Sequence, residues 1–127
     1  MNVVWQLAAA VAAAVHVLFF CLESLLFSRP AVYRRFLLST AEEARVVRPM
    51  AFNQGFYNLF LAAGAAGGIV ANAAGEATVG RTLVAFSCGC MVLAAVVLVV
   101  TDRRFVRAAL VQAVPALVAL VAVALAT

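Results

Sequence analysis

Four long apolar stretches separated by three short polar connections make up most of this chain, over 3–27, 50–74, 82–100 and 105–126. A helix that crosses the hydrocarbon core of a bilayer needs about 20 mostly apolar residues, and each stretch is close to that or longer. The alternating segments of about 10 residues that would signal a membrane barrel are absent. The pattern predicts an all-α membrane protein, a four-transmembrane-helix bundle forming one domain over 1–127, with no linker, repeat or low-complexity segment to divide it. The first stretch lacks a basic leading segment and outruns the apolar part of a signal peptide, so it is expected to stay as a span.

Composition strengthens this reading. Hydrophobic residues are 68% of the chain and charged residues 11%, against roughly 45–50% and 25% in soluble domains. A soluble fold of this length could not cover so much apolar surface.

The connections set an orientation. The nine basic residues are all arginine. Arg29, Arg34, Arg35, Arg45 and Arg48 lie in the first connection, and Arg103, Arg104 and Arg107 in or just beyond the third. The second carries only Glu76 and Arg81. Connections one and three share a side, and the excess of arginine places that side in the cytoplasm, with both termini outside. Arginines gathered at span ends point to topology and anionic lipid head groups, not to nucleic acid. The expected location is the cell membrane as a multi-pass protein, the inner membrane in a bacterium.

Within the first connection, Pro30 follows a helix end, and Thr40 with Glu43 has the spacing of a capping box. This predicts a short amphipathic segment along the cytoplasmic interface between spans 1 and 2, with Tyr33 and Phe36 at head-group depth.

A few polar residues interrupt the apolar stretches or sit at their edges: His16, Glu23, Asn53, Gln54, Asn58 and Gln112. Such groups are costly in hydrocarbon and usually face a helix-bundle interior or a functional cavity. At 1.5 Å rise per residue, His16 lies roughly 16 Å and Glu23 roughly 6 Å from the cytoplasmic end of span 1. Asn53, Gln54 and Asn58 fall within roughly 13 Å of the start of span 2, and Gln112 roughly 10 Å into span 4. All six belong to the cytoplasmic half. His16 and Glu23 are seven apart, two turns along one helix face, with Phe19 and Phe20 between. Gly55 permits a close neighbour beside the amides, while Gly64 and Gly68 form a small packing face higher in the same span.

Each residue also has a structural explanation. Glu23 could reach the interface or pair with Arg29, His16 could be a hydrogen-bonded core residue, and membrane amides often join helices for about 0.6 kcal/mol each. Three amides within six residues, level with a His and a Glu, favour a site. A carboxyl out of water can hold a proton, and His16 could relay or accept it, so these two are the expected catalytic pair. Asn53, Gln54, Asn58 and Gln112 would orient substrate or stabilise developing charge. Phe20, Phe56 and Tyr57, with Phe19 and Phe52, would line an apolar pocket. No cofactor motif is present. Cys21, Cys88 and Cys90 lack a metal-binding spacing and are expected as small packing residues.

The segment His16 to Glu23, the run Asn53-Gln54-Gly55-Phe56-Tyr57-Asn58 with Leu61-Ala62-Ala63-Gly64, and Val111-Gln112-Ala113-Val114-Pro115-Ala116 resemble the family catalogued as domain of unknown function 1304. These are small four-span membrane proteins of bacteria and fungi. The likeness covers nearly the whole chain, and the Asn-Gln-Gly-x-Tyr-Asn run is its most specific part. Ala113 departs from it, standing where glycine is expected. The resemblance implies the four-span fold and the polar set, and no particular activity.

The function expected from these residues is intramembrane acid–base chemistry on a lipophilic, isoprenoid-like small molecule, of isomerase or cyclase type. A proton-coupled transporter of small lipophilic molecules is the alternative, although fixed orientation and the position of Glu23 near a span end argue against it. A non-catalytic accessory subunit is the third. Expected partners are membrane lipid, the lipophilic molecule, and a second copy or another membrane protein.

Overall fold

The computed structural model describes residues 3–126, and over these the chain is helical throughout, without strands. Helix α1 (Val3–Phe20) continues into a π turn (Cys21–Leu25). A short α2 (Pro30–Tyr33) and a 3-10 turn (Arg34–Phe36) lead to the long α3 (Ala41–Ala73). Helix α4 (Ala77–Thr101), a 3-10 turn (Arg103–Phe105) and α5 (Val106–Leu125) follow. Four helical stretches, Val3–Leu25, Ala41–Ala73, Ala77–Thr101 and Arg103–Leu125, are long and apolar enough to cross a membrane. This is the four-span pattern that the hydropathy predicts.

The chain divides into two compact units. One comprises the described residues up to Val15 and from Leu61 onward. Its core draws Trp5, Ala9, Ala12 and Ala13 from α1, Ala62 and Ala65 from α3, Val84, Cys88 and Met91 from α4, and Ala116, Ala119, Ala122 and Val123 from α5. Alanine dominates because small side chains let helix backbones approach closely where lipid supplies no hydrophobic drive between helices. Gly68 and Gly80 bring α3 and α4 closest: a Cβ on Gly68 would lie 2.7 Å from the Gly80 carbonyl oxygen. Gly64 meets the Ser87 hydroxyl on the same side, so the expected glycine face of span 2 is a packing face. Helix α3 then ends in a Schellman turn. Gly75 takes φ 94°, its N–H donates to Asn72, and the Glu76 N–H donates to Ala71.

The other unit is His16–Phe60. Its apolar centre holds Phe27, Tyr33, Ala44 and Ala51, with Phe36, Leu38 and Val47 packed against them. The 3-10 turn closes in a second Schellman arrangement, with Leu37 in the left-handed region at φ 65° and the Leu38 N–H donating to the Tyr33 carbonyl.

The expected capping box is present. The Thr40 hydroxyl accepts from the Glu43 N–H at 3.2 Å, and the Glu43 carboxylate accepts from the Thr40 and Ser39 N–H groups. What it starts differs from the expectation. The interface segment is only α2 with its 3-10 turn, and the box opens α3 itself, nine residues before the predicted start of span 2. Pro49 does not break this helix. Ala44 and Val47 before it and Ala51 after it pack in one cluster with Phe27, Tyr33 and Phe36, which supports the helix on both sides of the proline.

Candidate functional site

The π turn is the local feature that builds the site. A π turn closes i to i+5 hydrogen bonds, and here the Leu26 N–H donates to the Cys21 carbonyl at 2.9 Å. His16 stands on regular α1 before this turn and Glu23 inside it. Glu23 is joined to α3: Asn58 Nδ2 donates to Glu23 Oε1 at 2.6 Å. The alternative of an ion pair with Arg29 is not formed among the described residues. His16 lies one turn before the π turn, fully buried at 0% exposure, and packs edge-on against Phe19 with ring centroids 6.0 Å apart.

The neighbouring residue completes the helix contact. Ser24 is buried, and its hydroxyl donates to the Phe52 carbonyl at 2.8 Å. Gly55 faces it so closely that a Cβ there would overlap the Ser24 hydroxyl and stand 3.0 Å from the Ser24 backbone nitrogen. Ser24 was not among the expected site residues. The signal for it was a small hydroxyl next to the sole intramembrane acid, with a glycine available on the opposing helix.

Aromatic rings adjoin this pair. Phe20 meets Phe56 at 5.0 Å in a T-shaped contact, Phe56 meets Phe52 at 5.1 Å, and Phe60 extends the row at 6.3 Å. Tyr57 stands edge-on to Phe60. The row is open on one side: Phe52, Tyr57 and Phe60 are 44%, 57% and 62% exposed. Asn53 and Gln54 are exposed as well, on the side of α3 turned away from Ser24. The predicted amides therefore separate. Asn58 turns inward to Glu23, while Asn53 and Gln54 turn outward with Tyr57.

Gln112 belongs to the other compact unit. It is buried in α5, and its Nε2 donates to the Met91 carbonyl of α4 at 3.2 Å. That is a helix-to-helix bond that uses the second lone pair of a backbone carbonyl. Among the cysteines, Cys88 is buried in the core cluster and all three are free thiols. Among the described residues no three His, Cys, Asp or Glu side chains converge as a metal site.

The arrangement can hold and move one proton. Asn58 engages a single oxygen of Glu23, and an amide N–H can donate to a carboxylate or to the carbonyl oxygen of the neutral acid. The other oxygen is left to carry or release the proton. Partly exposed rings beside it offer an apolar approach.

No curated protein and no solved structure is significantly similar to the chain. A family model does match, over residues 10–124, and it takes in α1 from its third turn, the π turn, all of α3 and α4, and α5 almost to its end. The chain belongs to that family, described as protein of unknown function (DUF1304).

Proposed function

We propose that this protein is a small intramembrane enzyme that performs acid–base chemistry, of isomerase or cyclase type, on a lipophilic, isoprenoid-like molecule entering from the lipid. The observation that carries the proposal is the Glu23–Asn58 pair on a π turn, beside the partly exposed row Phe20, Phe56, Phe52 and Phe60. Single π turns inside helices occur often at functional sites, and an ionisable residue inside a span is by default a functional candidate. Glu23 would give and take the proton, and Asn58 would hold its orientation. The ring faces would stabilise positive charge developing on the substrate carbon skeleton. His16 would act as the proton partner of Glu23. Asn53, Gln54 and Tyr57 would bind the polar end of the substrate at the rim, with Gln112 fixing the α4–α5 pair.

Isomerisation by protonation and deprotonation at carbon exchanges that proton with solvent. Purified protein in vesicles containing candidate isoprenoid lipids and deuterated water should therefore place deuterium in the lipid, read by mass spectrometry. Glu23→Gln keeps the shape and can still accept from Asn58, but it cannot transfer the proton, and exchange should fall by two orders of magnitude or more, since such groups contribute about 10²–10⁴-fold. Full exchange in that variant would refute the assignment.

One observation favours a second reading, an accessory subunit. Asn58 to Glu23, Ser24 to Phe52 and Gln112 to Met91 are all bonds between helices. On that reading Glu23→Gln leaves every property intact, and a partner copurifies at fixed ratio in mild detergent.

A further inference from the structure

A second place on the chain has the chemistry of a binding site, remote in kind from the acid–amide pair. Ser28, Ala41, Ala44, Arg45 and Arg48 line a cavity of about 210 Å³ in the His16–Phe60 unit. Arg45 and Arg48 are three apart on α3, on one face, and the two alanines leave the space between them and Ser28 unfilled. The local acids leave Arg48 unneutralised. Glu43 is engaged with the backbone of Ser39 and Thr40, and Glu42 meets both terminal nitrogens of Arg45 in three solvent-exposed contacts of 3.4 Å. An exposed pairing of this kind is weak, and a phosphate can displace it. Arg48 makes no ion pair among the described residues.

The level of this cavity follows from helix length. Helix α3 has 33 residues, about 50 Å at 1.5 Å each, against a hydrocarbon core of about 30 Å. All four of its charged residues are in its first eight positions, so the excess length lies at that end. Ser28 stands three residues past the first span, which ends at Leu25. Both walls of the cavity thus lie on the polar side of the hydrocarbon boundary, within about 20 Å of excess helix, with Arg48 the nearer of the two arginines to it.

We propose that this cavity binds a phosphate group, and that the group is the head-group phosphodiester of an anionic membrane lipid. Guanidinium forks match phosphate oxygens in geometry and charge, Ser28 offers a hydroxyl donor, and the position lets the acyl chains run along α3 into the bilayer. The occupied cavity would tie the start of α3 to the end of the first span.

The test is native mass spectrometry of the full chain in neutral detergent, titrated with phosphatidylglycerol, phosphatidylcholine or inorganic phosphate. One phosphatidylglycerol should stay bound per chain at concentrations where phosphatidylcholine does not. Arg45→Gln with Arg48→Gln should weaken this roughly 30-fold, the effect of two arginines at a lipid surface. Ala41→Leu, which fills the cavity and keeps every charge, should weaken it too. Arg103→Gln with Arg107→Gln removes the same charge from the other arginine-rich connection and should leave it unchanged. Helical circular dichroism confirms that each variant is folded before it is scored. Undiminished binding in both cavity variants, or equal loss in the Arg103/Arg107 variant, overturns the proposal. Inorganic phosphate that displaces phosphatidylglycerol at matched concentration overturns the lipid assignment and leaves a free-phosphate site. None of these outcomes depends on Glu23 turnover.

Discussion

At the scale of single residues, close packing makes neighbouring positions behave very differently. A Cβ on Gly68 would press against the Gly80 carbonyl and the Val84 backbone nitrogen, whereas a Cβ on Gly67 meets nothing within 4 Å. Gly68→Ala should therefore cost about 1–3 kcal/mol by overpacking, while Gly67→Ala should be neutral or gain up to about 1 kcal/mol from helix propensity. Thermal unfolding in detergent separates the two. Asn58 has a similar asymmetry. Asn58→Leu removes the donor and leaves Glu23 without a partner inside a helix contact, and truncating one member of such a pair costs about 1–3 kcal/mol. Glu23→Gln with Asn58→Leu together should lose less than the sum of the two single losses, a non-additivity that a double-mutant cycle reads directly. The sequence shows that Glu23, Asn58 and Gly55 matter, since each is an unusual residue for its place. It does not show that Ser24 and Gly55 interlock, because that needs the opposing helix register.

At the scale of elements, spacing arguments hold wherever the helix is regular, and a π turn lies outside their reach. The Gly64 and Gly68 face and the Thr40–Glu43 box follow from four-residue and three-residue spacings, and both are found as expected. The pairing of His16 with Glu23 assumes 3.6 residues per turn through a segment that contains a π turn, and nothing in Cys21–Leu25 announces that irregularity from sequence alone. Likewise Pro49 marks a boundary by composition, while the aromatic cluster that carries the helix past it is a tertiary feature. The Thr40 cap should contribute about 1 kcal/mol, so Thr40→Ala should speed hydrogen exchange at the first amides of α3 without affecting α4. In the third connection Asp102 caps the 3-10 turn, accepting from the Arg104 N–H at 3.0 Å and pairing with its guanidinium at 2.8 Å. The side-chain hydrogen bonds from Arg104 hold the Asp102 carboxyl below the usual carboxylate range. Its folded value is depressed, so its contribution to the turn is complete above the ordinary carboxylate range and is lost as pH falls through the depressed value. Carboxyl-carbon NMR of Asp102 should show a midpoint below the ordinary aspartate range, and Arg104→Gln should move it up.

For the molecule as a whole, the arginine distribution makes the boldest expectation. Eight of nine arginines lie in or beside the first and third connections, so by the positive-inside rule both termini are expected outside the cytoplasm. A fluorescent protein that matures only in the cytoplasm should stay dark when fused after the last helix and light up when inserted next to Arg103. Replacing Arg29, Arg34 and Arg35 by glutamine should produce a mixed population. The four-span class was legible because apolar length is a property of composition. The division of the amides was not, because which side of α3 meets a neighbour depends on the rotation of a helix that has amides on two of its faces. A further consequence follows from the π turn and concerns chain length. Such a turn holds one residue more than the α-helix would need between the same flanks, and here it contains Glu23, the only acid within the apolar stretches 3–27, 50–74, 82–100 and 105–126. A chain lacking Glu23 could close an ordinary helix with Phe20 still on Phe56 and Ser24 still on Gly55. A single-codon deletion would then heal the helix and erase the acid in one step.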